Sequence, residues 1–176
     1  MNQRSAEAIE APDEDLLLEH QLCFALTVAS RSVVGAYKPV LDTLGLTHPQ
    51  YLVMLCLWES SPRTVRDISD ALAQEPATIS PLLRRLEAAG YITRGRAAGN
   101  ERALAVGLTP SGAALRQRAT AVPGTMMERL GLTRDQVGAL HQAMMNLIAA
   151  TRSAAERDAG EPDAADLVAD GDTGGA

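Results

Sequence analysis

Between Thr64 and Thr109 the hydrophobic period of the chain changes twice, and few folds accept that order of segments. A capping box, Thr64-Val65-Arg66-Asp67, opens a short helical pattern that runs to about Ala73. After the tight connection Gln74-Glu75, a second helix is predicted from about Pro76 to Ala89, stopped by Gly90. Two short helices joined so closely predict a helix-turn-helix. The runs YITRGR (91–96) and ALAVGLT (103–109) then alternate about the turn AAGNER (97–102), which predicts a β-hairpin or wing.

Long helices flank this module. From about Asp13 to Leu44 apolar residues recur at helical spacing, with Gly45 as the stop and Gly35 as the one place where the pattern could bend or break. Thr47-His48-Pro49-Gln50 is a further capping box and opens a helix to about Glu59. Thr109-Pro110 starts a helix to about Leu130, with a break expected near Pro123-Gly124. The box Thr133 to Gln136 then begins a last helix bearing Val137, Leu140, Met144, Leu147 and Ile148 on one face. The predicted fold is mainly α: a winged helix-turn-helix with long N- and C-terminal dimerisation helices and a two-stranded β wing.

Its divisions are an acidic disordered N-terminus (1–12), N-terminal dimerisation and sensor helices (13–60) and the winged module (61–109). C-terminal dimerisation helices (110–157) and an acidic disordered tail (158–176) complete it. The apolar stripes of the first and last helices are too long for a small winged domain to cover, so a homodimer is expected.

The net charge of −6 is unusual for a nucleic-acid binder until it is located. Residues 1–20 hold six acids against Arg4, and residues 156–176 hold seven against Arg157. The body, 21–155, carries 14 basic and 9 acidic residues, a net of +5. A basic body between acidic arms suits double-stranded DNA as a partner. No run of 18 uncharged apolar residues suggests a membrane span, and the acidic start is unlike a signal peptide, so a cytoplasmic protein is expected. Cys23 and Cys56 imply no disulfide framework.

The segment EPATISPLLRRLEAAGYITRGR (75–96) carries the DNA-reading expectation. Short polar side chains in the N-terminal half of a reading helix approach base edges, and Thr78 and Ser80 (with Gln74) suit that role. Arg84 and Arg85 lie within reach of phosphates, while Leu82, Leu83 and Leu86 pack inward. Pro81 is out of place in a plain helical pattern, since it removes a backbone hydrogen bond. On the wing, Arg94 and Arg96 stand on the first strand and Arg102 at the turn, where an arginine can enter a minor groove.

The run LEHQLCFALTVASRSVVGAYKPVLDTLGLTHPQYLVMLCLWE (18–59) sets one cysteine early on a helix, with Tyr37 and His48 downstream. A reactive cysteine must be accessible and partly thiolate, so it needs nearby donors. The helical pattern puts Cys23 about two turns in, where the helix dipole helps little. Tyr37 is fourteen residues further along, about 21 Å on one helix, so the two meet only across a dimer interface unless the chain folds back near Gly35. Composition alone makes Cys23 a small hydrophobe between Leu22 and Phe24, and Cys56, within VMLCLW, reads as packing.

These motifs, QLCFAL and PQYLVMLxLWE above all, resemble the organic hydroperoxide resistance repressors, the peroxide-sensing branch of the MarR (multiple antibiotic resistance regulator) family, over about 135 residues. The resemblance extends to the T-x-[ST]-P core at Pro81 and to GNERALAVGLT, similar to the family's D-x-R motif, with Asn100 in place of the usual Asp. It implies that Cys23 is the redox sensor and that Tyr37 of a second subunit contacts the thiolate. His48 stands where relatives carry a second tyrosine: it either donates to the thiolate, neutral or as imidazolium, or lies on the surface of the first turn. Thr27 stands where many relatives carry an aromatic. Met126, Met127 and Glu128 occupy the region of the second cysteine of two-cysteine members. The one-cysteine chemistry follows, a sulfenic acid and then a mixed disulfide with a low-molecular-weight thiol.

The function expected is a repressor, not an enzyme, that binds a pseudo-palindromic operator as a homodimer and releases it when organic hydroperoxide oxidises Cys23. No cofactor is expected. The alternative within transcription is release by a small aromatic or lipophilic ligand, with Cys23 structural. A metal sensor lacks tight ligand spacing among His20, Cys23, His48 and Cys56, and a thiol peroxidase lacks a resolving cysteine or peroxidatic motif.

Overall fold

The structure, a computed structural model, describes residues 14–97 and 100–160, with side chains outside the description at 96, 97, 100–104, 158 and 160. The expected disordered arms, 1–12 and most of 158–176, lie outside the described residues. The chain divides into two compact units that part after Leu130.

Two short 3-10 turns, Glu14–Leu16 and Leu18–His20, precede α1 (Leu22–Asp42). The expectation of one helix from Asp13 is corrected here. Gln21 is extended, at φ −79° and ψ 120°, and its side chain donates to the carbonyls of Asp15 (2.6 Å) and Leu17 (3.2 Å). His20 Nδ1 bonds the carbonyl of Glu14 at 2.7 Å. The break is invisible to periodicity because Leu18 and Leu22 keep helical spacing across it. Beyond it α1 runs unbroken through Gly35 and ends at the left-handed Gly45 (φ 70°), where Leu46 N–H reaches back to the Leu41 carbonyl.

Helix α2 (His48–Glu59) begins where the Thr47 capping box requires. β1 (Arg63–Thr64) follows, then α3 (Val65–Ala71), capped reciprocally by Thr64 and Asp67, and α4 (Pro76–Ala88). β2 (Ile92–Ala97) and β3 (Asn100–Leu108) pair antiparallel, with Ala97 opposite Asn100. β1 adds to the far edge of β3, so the sheet has three strands in the order β1-β3-β2 rather than the two expected. A two-residue strand is too short to show alternation. Arg102 accordingly lies on β3 and not at a turn.

α5 (Pro110–Ala119) is capped by Thr109, whose Oγ1 accepts from Gly112 N–H at 3.0 Å. α6 (Val122–Leu130) starts after a break at Thr120-Ala121, one residue before the proline expected to cause it. One core joins these elements: Leu41, Met54, Leu57, Ile68, Leu83, Leu86 and Val106 are all at most 1% exposed. At Gly112 an added Cβ would stand 1.9 Å from the Tyr91 carbonyl oxygen, a backbone atom that cannot swing away. Gly112→Ala is therefore expected to destabilise the fold by about 1–3 kcal/mol, read as a lowered Tm.

The second unit holds α7 (Arg134–Gly160), opened by the Thr133–Gln136 capping box. Its residues Val137, Leu140, Met144, Met145 and Ile148 are exposed, 38–52% each. Among the described residues no helix is long and apolar enough to cross a membrane.

Candidate functional site

The helix-turn-helix presents its reading surface on α4. Ile79, Leu83 and Leu86 fasten the helix to the core, with Leu82 only half-buried, which turns the opposite face outward. Gln74, Thr78, Arg84 and Arg85 are exposed on or beside that helix. Ser80 is half-buried, and its hydroxyl donates to the Pro76 carbonyl at 2.8 Å, leaving the oxygen free to accept. Pro81 is accommodated inside α4 without ending it.

Arg94, expected as a DNA contact, is paired with a carboxylate. Its Nε donates to Glu87 Oε2 at 2.8 Å, and Nη2 reaches the same oxygen. Glu87, in the last turn of α4, supplies the carboxylate that turns the guanidinium inward, and the Arg94 hydrogen bonds hold the Glu87 carboxyl below its usual range. Sequence reasoning passed over Glu87 because nothing in its spacing announces a strand partner seven residues on. The backbones of Arg96 and Arg102 lie on β2 and β3; their side chains are outside the described residues.

Cys23 is the second residue of α1 and is exposed. That corrects its expected depth of two turns: the break at Gln21 places it in the first turn of the helix. Thr27 Oγ1 donates to the Cys23 carbonyl at 2.7 Å. Tyr37 and His48 come together on one chain, their ring centroids 5.2 Å apart in edge-to-face geometry. Tyr51 continues the row at 6.2 Å from Tyr37, and Trp58 lies 6.3 Å beyond it. Tyr51 and Trp58 stand three and ten residues after His48 on α2, a helical spacing that marks one face, and it went unused in the sequence reading.

Because α1 is continuous, Cys23 and Tyr37 of one chain stay about 21 Å apart. A groove of about 320 Å³ opens beside the pair, lined by Val34, Gly35, Lys38, Leu46, His48 and Pro49 among others. His48 is half-buried, and that burial lowers its pKa below the ordinary 6.5. Burial on the single chain thus favours the neutral imidazole, which can donate one hydrogen bond. A depressed pKa means that His48 costs nothing above the unfolded value and opposes folding as pH falls below it. Acidification below about pH 6.5 should therefore lower Tm, and His48→Gln should flatten that slope in melts across pH 5–8.

Cys56 is buried, as expected of packing, and it also accepts a hydrogen bond from Arg63 Nη1 at 3.2 Å. Desolvation pushes its thiol pKa up, and the nearby Arg63 only partly offsets this.

Two short helices with an exposed polar face, followed by a sheet that closes back on them, define a winged helix-turn-helix, the architecture of a DNA-binding regulator. Residues 46–104 match the MarR family. The chain is 38% identical over 135 residues to the organic hydroperoxide resistance transcriptional regulator of Bacillus subtilis, covering 77% of this chain and 92% of that one. It is 33% identical over 132 residues to the regulator MgrA of Staphylococcus aureus, 74% and 90% of the two chains. Among solved structures, reduced AbfR bound to DNA superposes with a TM-score of 0.64 at 29% identity, over 76% of this chain and 94% of that one. A crystal structure of AbfR of Staphylococcus epidermidis gives 0.60 at 31%, over 75% and 94%. The chain belongs to the MarR family.

Proposed function

We propose that this transcriptional regulator binds operator DNA as a homodimer and is a repressor released when organic hydroperoxide oxidises Cys23. The observation that carries the reading is a sensor site divided along one helix. Cys23 is exposed at the start of α1, Tyr37 and His48 meet edge to face near its far end, and an unbroken helix keeps Cys23 from them. A second chain, antiparallel at α1, brings the two halves together and covers Leu22, Val33 and Val34, which are 38–60% exposed. The similarity to the Bacillus subtilis organic hydroperoxide resistance regulator supports the oxidant class.

In the reduced dimer the Tyr37 hydroxyl and the neutral His48 imidazole of one chain donate to the Cys23 thiolate of the other. The thiolate attacks a peroxide oxygen: the S–O bond forms, the O–O bond breaks, and the alkoxide leaves and takes a proton as an alcohol. Sulfur is oxidised to a sulfenic acid and the peroxide is reduced. A low-molecular-weight thiol then condenses with the sulfenic acid, forming a mixed disulfide and releasing water. The added bulk displaces Tyr37, the α1 helices shift, and the two reading heads leave the spacing of about one helical turn that their half-sites demand. Thr78, Ser80, Arg84, Arg85, Arg96 and Arg102 are proposed as the DNA contacts. The reading is tested by titrating cumene hydroperoxide into an operator complex while following Cys23 by mass spectrometry. Release in step with oxidation, reversed by dithiothreitol, is expected; oxidation of Cys23 with binding unchanged would overturn it.

A second reading has one observation in its favour. A groove of about 350 Å³ is lined by Tyr51, Leu55, Trp58, Glu59 and Arg116 among others, an aromatic and apolar wall with one acid and one base. A small aromatic or lipophilic ligand fits that lining, and release by such a ligand under reducing conditions would make Cys23 structural.

A further inference from the structure

We infer that Glu87 and Arg94 are positioning residues for DNA reading, a clasp that fixes the angle of the wing against the reading helix. The inference rests on α4 and the wing being the DNA-contacting parts. Arg94 and Arg63 both stand opposite Val106 in the sheet register, one on each side of the central strand. Directly paired residues point to the same face, and Val106 is fully buried, so both arginine stems rise from the core-facing side of the sheet. Each then grips the C-terminal end of a different helix. Arg63 donates to Glu59 Oε2 (2.9 Å), to the Ser60 carbonyl (3.1 Å) and to Cys56 Sγ at the end of α2. Arg94 donates to Glu87 at the end of α4, and the other carboxylate oxygen of Glu87 accepts the Arg94 backbone N–H at 3.3 Å.

One carboxylate thus holds both the side chain and the backbone of a single strand residue, which constrains orientation as well as distance. A carboxylate in the last turn of a helix is disfavoured by the helix dipole, and near DNA it is disfavoured again by phosphate repulsion. Glu87 sits where both effects act against it, and the clasp is what it supplies in return. Arg94, with Nε and Nη2 both held by one Glu87 oxygen, sets the wing rather than serving as a phosphate contact.

The two roles for Arg94 predict opposite signs for Glu87→Gln. If Arg94 served as a phosphate contact, removing the acid would free it and tighten binding to every duplex. If the pair is a clasp, Glu87→Gln loosens the wing and weakens binding to the preferred duplex. The probe is a duplex enriched by in vitro selection on the wild-type dimer, compared with one whose wing-facing flanks are scrambled. Glu87→Gln and Arg94→Gln should each cut the affinity ratio between the two by roughly tenfold, the discrimination of about one base contact, and the double variant should lose no more than either alone. The log–log salt slope should stay that of wild type, whereas loss of a phosphate contact would lower it by about one. Arg94→Lys keeps the charge, loses the fork and should behave like Arg94→Gln; Glu87→Arg with Arg94→Glu should recover discrimination. Thermal melts confirm that the variants compared are folded. Tighter binding by Glu87→Gln, a reduced slope for Arg94→Gln, or wild-type behaviour of Arg94→Lys would overturn the clasp. Failure of the wild-type dimer to enrich any duplex would overturn the DNA reading itself, and the clasp with it.

Discussion

Cys23→Ser should bind operator within about twofold of wild type and should not let go when hydroperoxide is added. Serine keeps the size of the side chain at an exposed first-turn position, so neither the core nor the reading helix is disturbed. What it removes is the thiolate, the only group at that position able to take an oxygen from the peroxide. The size of the effect is the whole response: release at stoichiometric cumene hydroperoxide in wild type against none in the variant, in parallel binding curves. Cys56→Ser should leave the response in place, since Cys56 is buried and desolvation keeps it as the neutral thiol. Peroxide-driven release that survives Cys23→Ser would remove that residue from the sensor role.

The second large effect is expected from the last helix. Leu140→Glu with Met144→Glu places two carboxylates in the apolar stripe of α7, where the native residues are 52% and 39% exposed on the single chain. In the proposed homodimer this face is covered, and buried unpaired carboxylates would prevent the association. The two reading heads would then bind independently. Losing the second head removes the gain from linked binding, on the order of 10²–10⁴ in affinity. Sedimentation should show a monomer, and operator binding should fall by a factor in that range. A variant that stays dimeric and binds normally would place the dimer contacts elsewhere.

Much of this architecture can be read from the chain alone, for identifiable reasons. The helix starts at Thr47, Thr64, Thr109 and Thr133 are marked by side chains that satisfy backbone N–H groups, and three of the helix ends fall at a glycine with positive φ. These are local signals, carried by a few adjacent residues. The features that escaped are not local. The break before Cys23 depends on Gln21 and His20 reaching six residues back, while the leucine spacing runs on unchanged. β1 exists only because β3 offers it an edge. The ion pair of Arg94 depends on Glu87 being folded against it across the Gly90 turn. The lowered pKa of His48 follows from its burial, and its contact with Tyr37 is one that no spacing reveals.

The central claim is that the sensor site is built from two chains, and mixed dimers test it most directly. One parent carries Cys23→Ser with Tyr37 and His48 intact; the other carries Tyr37→Phe with His48→Ala and keeps Cys23. Neither parent alone has a complete site by any arrangement. In the heterodimer, a site formed across the interface joins Cys23 of one chain to Tyr37 and His48 of the other, and is complete once. Stopped-flow oxidation of purified heterodimer by cumene hydroperoxide should therefore recover the wild-type rate at half the wild-type amplitude. A heterodimer as slow as its Tyr37→Phe/His48→Ala parent would contradict the account, since it would mean that each chain builds its sensor alone.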